Sequence, residues 1–390
     1  MPLFEAKERT RTAPKRQGEG DFEFYDSSGR PEFQIYRDLV NGWIAELPEQ
    51  DQPEMISRLQ KSDSLGYQAA LAELTIHAAL RRQGYKVEVH PVCGHLTRKP
   101  DFLVRTAADE PVAYVEVTTF GPAQEDIAQD NRDAAIYNAL DKAKLPAGHR
   151  LGLDVVKHGT KPPSLNKLVA SVEKWAAETA TDEPGAMPQR NFEIDDWNIE
   201  LTLYGGFKKD IVPERVIASA MGDTRIVSAE TEIREAVEKK GSRYGQLKAP
   251  YLVVVADCKG ELTGGDRNTE SLTDALFGTV VTVVQHDGAG NYTEPKDQRK
   301  NDGYWGTPDA PRHTGVSGLL LLPRPHLWDL RKDRWQPLVM HNPWAAQSLP
   351  DDLLPLPGYK VNAQNGFEPV QGRALADILG LPAVWPPAEE

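Results

Sequence analysis

The chain has 390 residues, 39% of them hydrophobic and 26% charged, with 30 Pro, 31 Gly and a formal net charge of −13. That length buries a sizeable core as one large domain or two ordinary ones, and the Pro and Gly content implies long connections between compact regions. So acidic a chain is excluded from coating nucleic acid indiscriminately, which needs many Lys and Arg contacts to phosphate, whereas a carboxylate cluster holding a divalent cation would invert the field locally.

The opening residues, MPLFEAKERT, contain no apolar signal-peptide core, and runs such as VSGLLLLP are too short to span a bilayer; no membrane association and a cytoplasmic location are expected. Cys93 and Cys258 stand far apart with no CxxC or Cys/His ladder, so reduced thiols are expected rather than a disulfide or a structural zinc. Residues 1–50 read as an N-terminal arm, mobile at its start. Its basic run of Lys7, Arg9, Arg11, Lys15 and Arg16 is either solvated or touches nucleic acid.

The stretch SLGYQAALAELTIHAALRRQG, from Ser64, is Ala- and Leu-rich and free of Pro, and Arg81, Arg82 and Gly84 end it; this predicts a helix. YKVEVHPV predicts a strand, followed by a loop through Gly94 and strands near 101–105 and 112–118. Further on, a helix is predicted over NRDAAIYNALDKAKL, a strand over HRLGLDVVKH, a helix over LNKLVASVEKWAAETA and a loop over 181–190. FEIDDWNIELTLYGG reads as a strand pair. A helix near 229–242, the strand PYLVVVAD, a helix around TESLTDALFG and the strands TVVTVVQHD and VSGLLLLPR follow. From 323 the chain is dense in Pro and Trp and is expected to wrap over the main body.

Two acids break the apolar pattern of the strands, Asp101 in RKPDFLVR and Glu116 in AYVEVTT. Period-two alternation puts Tyr114, Glu116 and Thr118 on one face of their strand and Val115 and Val117 on the other. If the two strands pair as a hairpin, both carboxylates can share one ion, and with a backbone carbonyl such as that of Val117 they form an oxygen shell suited to Mg²⁺ or Mn²⁺. Glu73 shares a helix face with Ala69, Ile76 and Leu80, where a carboxylate is costly unless paired or bound to metal. The plainer readings are a surface pair of Glu73 with Arg81 or His77, and Asp101 as a turn residue after Pro100.

The order of helix Glu73, Pro100-Asp101 and Glu116-Val117-Thr118 resembles the PD-(D/E)XK, or restriction-endonuclease-like, nuclease superfamily over about 65–160. The resemblance implies an α/β fold with an αβββαβ core, a mixed sheet flanked by helices. It also implies metal-dependent hydrolysis of phosphodiester bonds, with DNA the expected substrate. Asp101 and Glu116 would be metal ligands, and Glu73 would orient metal or water. The family's lysine, two positions after the Glu, is Thr118 here. Lys99 adjoins the motif, and Lys142, Lys144, Lys239 and Lys240 are further candidates to supply the missing charge. Most of the chain is also similar to uncharacterised bacterial proteins carrying this core. Bacterial defence or DNA processing, as a homodimer or with a defence partner, follows from analogy alone.

The expected layout is an arm over 1–50, the nuclease-like core over 51–180, an α+β region over 191–322 and the wrap over 323–390. In an alternative, the helix with Lys239 and the strand YLVVVAD continue the first sheet, and 119–228 is a large insertion. ELTGGDRN reads as a turn rather than a phosphate loop, and His313 and His341 as structural or exposed. The RYG at 243–245 and Trp305, Trp328, Trp335 and Trp344 read as core, with base stacking the other possibility. Two rivals stay open: a non-catalytic DNA-binding or assembly protein on a degenerate core, and an enzyme with an unrelated site in the C-terminal half.

Overall fold

The structure, a computed structural model, describes residues 2–386 other than 62, 94–97, 122–123, 182, 184, 211–214, 222–227, 246, 259, 261, 263, 285–293 and 365. The loop expected at Gly94 and the tail of the strand expected to reach 287 lie outside the described residues. The contacts divide the chain into two units. The larger comprises Met1–Glu8, Asp21–Gly121 and Val227–Glu390, and the smaller comprises Arg9–Gly20 and Pro122–Ile226.

The larger unit begins with α1 (Asp21–Ser27), α2 (Pro31–Ala45), α3 (Gln52–Leu59) and α4 (Ser64–Arg82), then β1 (Lys86–Val89), β2 (Phe102–Arg105) and β3 (Pro111–Phe120). The smaller unit holds α5 (Gln124–Leu140), β4 (Arg150–Lys157), α6 (Leu165–Thr179), β5 (Gln189–Ile194), β6 (Trp197–Tyr204) and β7 (Ile217–Met221). The chain returns to the larger unit through α7 (Ala229–Gly241), β8 (Tyr251–Asp257), α8 (Asp266–Phe277), β9 (Val280–Val283) and β10 (Lys296–Arg299). There follow β11 (Gly306–Thr307), β12 (Ala310–Pro311), β13 (Gly318–Pro323), β14 (Leu338–His341), β15 (Gly358–Val361), β16 (Phe367–Val370) and α9 (Leu375–Ile378).

One eight-stranded mixed sheet, ordered β1-β2-β3-β8-β13-β14-β15-β16, forms the larger unit's frame. Its centre is the parallel trio β3, β8 and β13, and β1 with β2 adds antiparallel strands on one side. All seven residues of β8 and all six of β13 are buried, as unbroken apolar runs require of strands covered on both faces. On one face lies α4, whose N-terminus is capped by Asp63 accepting from the Gly66 N–H. Its residues Ala70–Leu80 are buried all round, so it is a central helix rather than an amphipathic surface one. The opposite face packs against α7 and α8 through Ile233, Val237, Leu272 and Leu276.

Four expectations are corrected. The arm over 1–50 is largely core: Phe24, Phe33, Tyr36 and Trp43 are buried, and the Tyr36 and Tyr67 hydroxyls bond at 2.5 Å. In its basic run Lys7 and Arg16 are exposed, while Arg11 pairs with the buried Glu19. Burial opposes a charge on Glu19, yet Arg11 and the Arg16 N–H hold its carboxyl down at about 2. Second, 51–180 is not continuous. β4 pairs with β6 and β7 in the four-stranded sheet β5-β6-β4-β7 of the smaller unit, around Leu153, Val172, Trp175 and Trp197. Third, the strand joining β3 is β8, in parallel register from Tyr114 with Tyr251 to Phe120 with Asp257, so the insertion alternative describes the pairing. An apolar strand after a helix occurs at both places, and local sequence does not rank them. Fourth, the Pro- and Trp-rich tail contributes β14, β15 and β16 to the main sheet instead of only lying over it.

Candidate active site

The sheet register assembles the site. Val89 pairs with Phe102, and Phe102 with Val115; one position further, His90, Asp101 and Glu116 stand in a row across β1, β2 and β3. The His90 N–H donates to the Asp101 carbonyl at 2.9 Å, which fixes the end of the row. The Asp101 carboxylate turns onto β3, where Oδ2 accepts from the Val117 N–H at 2.7 Å. Burial, and then the neighbouring carboxylates of Glu73 and Glu116, push its pKa up to about 8, against the Val117 N–H and Lys240.

Glu73 is buried on α4, and Arg58 of α3 donates to both its oxygens, at 2.9 and 2.6 Å. A two-pronged guanidinium bond of this kind fixes the plane of a carboxylate as well as neutralising it. Glu73 is thus neither a surface group nor a partner of Arg81 or His77. One ligand atom each from Glu73, His90 and Asp101 lie within 4.8 Å of one another. Two ligands of one cation, each at roughly 2.1 Å, are at most roughly 4.2 Å apart. Two carboxylates with an imidazole fit a divalent cation in charge and kind.

Glu116 is occupied differently. Alternation in β3 sends Val115 and Val117 into the core shared with α4, and sends Tyr114 toward α7. Glu116 lies on that second face, buried, where Lys240 of α7 donates to Oε1 and the Tyr244 hydroxyl donates to Oε2 at 2.7 Å. Arg243 is 3.9 Å from Oε1. The Tyr244 hydroxyl also lies 3.0 Å from the Lys99 carbonyl, so one proton serves two acceptors. Burial and then the Glu116 charge raise the Tyr244 pKa, which keeps its proton in place.

Of the residues the sequence singles out, Glu73 and Asp101 converge, and Glu116 adjoins them without joining the ligand group. Thr118 is buried on β3. Val117 gives its N–H to Asp101, and Lys99 meets Tyr244 through its carbonyl while its side chain is exposed. Lys239 is exposed, 4.0 Å from Glu235, and Lys142 and Lys144 belong to the smaller unit. Lys240 is the candidate lysine that meets a site carboxylate.

Sequence reasoning passed over His90 and Arg58, and took Tyr244 for core packing or base stacking rather than for a partner of Glu116. A signal existed for the first, a polar residue where the KVEV alternation ends ahead of Pro91; Arg58 carries none. Elsewhere His313 stacks on Tyr304, His341 lies 3.9 Å from Asp351, and Trp305 and Trp335 are buried. Gly264 and Gly265, both at positive φ, make a turn ahead of α8, with Glu261 and Thr263 of that segment outside the described residues. No family model matches the chain, and no curated protein or solved structure matches it either.

Proposed function

We propose that the larger unit is a PD-(D/E)XK-like core and that the protein hydrolyses phosphodiester bonds in nucleic acid, DNA before RNA, with Mg²⁺ or Mn²⁺ held at Asp101 and Glu73 beside Glu116. The observation that carries this is the ion pair of Lys240 with Glu116, which brings an ammonium to the strand where Thr118 offers none. The order α4, β1, β2, β3, then α7 and β8 supports it too, with 122–226 as an insertion.

A cation bound there supplies an activated water and neutralises charge developing on the phosphate. Arg58 fixes the plane of Glu73. Tyr244 holds the second oxygen of Glu116, and so holds the carboxylate that anchors Lys240. An ammonium has three N–H donors and Glu116 takes one, which leaves donors to orient a phosphate oxygen. A cation bound beside Asp101 would favour its carboxylate form.

A second function, a DNA-binding or assembly protein on a degenerate core, is favoured by one observation: Arg58, and Lys240 with Tyr244, already engage the oxygens of Glu73 and Glu116. Cleavage of linear, supercoiled and single-stranded DNA with Mg²⁺, Mn²⁺ or EDTA, beside Asp101→Ala, Glu116→Ala and Lys240→Ala, separates the two. Metal-dependent cutting lost in all three variants supports the nuclease. An inactive wild type that binds no metal supports the degenerate core.

A further inference from the structure

The cation site proposed above is drawn from carboxylates alone, as the sequence implies, but the row across the sheet begins with an imidazole. His90 sits one residue past β1, with its backbone at φ +48° and its N–H on the Asp101 carbonyl. It is His90, and not Glu116, that comes within 4.8 Å of ligand atoms from both Glu73 and Asp101. The oxygens of Glu73, held by Arg58, and those of Glu116, held by Lys240 and Tyr244, are alike engaged, so it is proximity to His90 and Asp101 that separates the two carboxylates. We propose that His90 is the third protein ligand of a site completed by Glu73 and Asp101, that its nitrogen makes this site select Mn²⁺ over Mg²⁺, and that Glu116 stands outside the ligand set as the residue positioning Lys240.

The chemistry follows from ligand hardness. Mg²⁺ takes oxygen donors and gives up its waters reluctantly, whereas imidazole nitrogen suits the first-row transition ions, with Mn²⁺ the one among them that still favours carboxylate and water. Two carboxylates and one imidazole on the protein leave the other positions to water and substrate oxygens. The inference rests on the metal-dependent function proposed above and specifies its ion and its ligands.

The test is Mn²⁺ binding to the full chain, read from the loss of the free-ion electron paramagnetic resonance signal, with Mg²⁺ as competitor. His90→Asn suits the purpose because Asn tolerates the left-handed backbone and offers an amide oxygen instead of a ring nitrogen. The expected result is a loss of Mn²⁺ affinity of about tenfold or more, of the size that perturbing a metal's ligand sphere produces. Mg²⁺ affinity should change much less, so the preference collapses. Asp101→Asn should abolish binding of both ions, and Glu116→Gln should cost less Mn²⁺ affinity than His90→Asn and leave the preference for Mn²⁺ over Mg²⁺ in place. Unchanged Mn²⁺ binding in His90→Asn, with binding lost in Asp101→Asn, would overturn the His90 ligand and leave the metal-dependent function standing. Loss of Mn²⁺ binding in Glu116→Gln would put Glu116 back in the ligand set and overturn that part. No Mn²⁺ binding by the wild type, or binding indifferent to Asp101→Asn, would overturn both this inference and the function beneath it.

Discussion

The ammonium of Lys240 bonds Oε1 of Glu116 across 124 positions of sequence, and the carboxylate it meets is 1% exposed. Removing one member of a buried pair leaves the other charged and unsolvated, at a cost of about 3–5 kcal/mol. Lys240→Met is therefore expected to destabilise the protein by about that much in urea unfolding. The double variant with Glu116→Gln should recover most of the loss. A Lys240→Met protein as stable as the wild type would show that the pair contributes nothing.

His77 is buried on α4, and neither of its ring nitrogens has a hydrogen-bond partner among the described residues. Burial, and then the charge of Arg81, lower its pKa from 6.5 to about 4. Below 6.5 the unfolded chain binds a proton that the native one refuses, so stability is complete above 6.5 and declines as pH falls to about 4. Over that interval the loss amounts to about 3 kcal/mol. His77→Leu should remove this slope, and urea midpoints at several values of pH across the window read it directly.

Asp101 acts with the opposite sign. With its pKa raised from 3.8 to about 8, the native state keeps a proton that the unfolded chain has lost, so stability declines as pH rises from about 4 to about 8. Asp101→Asn, which mimics the protonated form, is expected to be close to wild type at low pH and more stable than wild type at pH 8, in EDTA. A variant that tracks the wild type across this range would contradict the raised pKa.

The two bonds from Arg58 to Glu73 set a further expectation. Arg58→Met should cost about 1.5–3 kcal/mol, the size of a lost hydrogen bond to a charged group. A cation at the neighbouring site would compensate part of the exposed charge, so Mn²⁺ should raise the variant's Tm more than the wild type's. Equal shifts would separate Glu73 from the cation.

What the sequence made legible was local. The helix at 64–82, the two strands of the Asp101 and Glu116 hairpin and the alternation that sets Glu116 apart from Val115 and Val117 all follow from periodicity, because each is decided within a few residues. The partner of β3 was not decided that way. HRLGLDVVKH and PYLVVVAD both present an apolar strand after a helix, and only the long-range pairing distinguishes the second. The first two helices escape for a related reason: acidic and aromatic residues between Asp21 and Ala45 read as an arm, while Phe24 packs on Phe33 and Tyr25 on Tyr36 in the core shared with α4. At the site, a carboxylate on a strand was visible as an anomaly. Arg58 and Tyr244 were ordinary residues in ordinary contexts, and their roles depend on where the fold carries them.

Because β8 follows the smaller unit in the chain, synthesis has a built-in delay. The carboxylates of Glu73, Asp101 and Glu116 leave the ribosome first, and Lys240 follows Glu116 by 124 residues, roughly 6–25 s at ordinary elongation rates. Throughout that interval β3 has an open edge where β8 will lie, the kind of edge that pairs with whatever strand it meets. A polypeptide released before α7 would carry the acids without their lysine, and with that edge exposed.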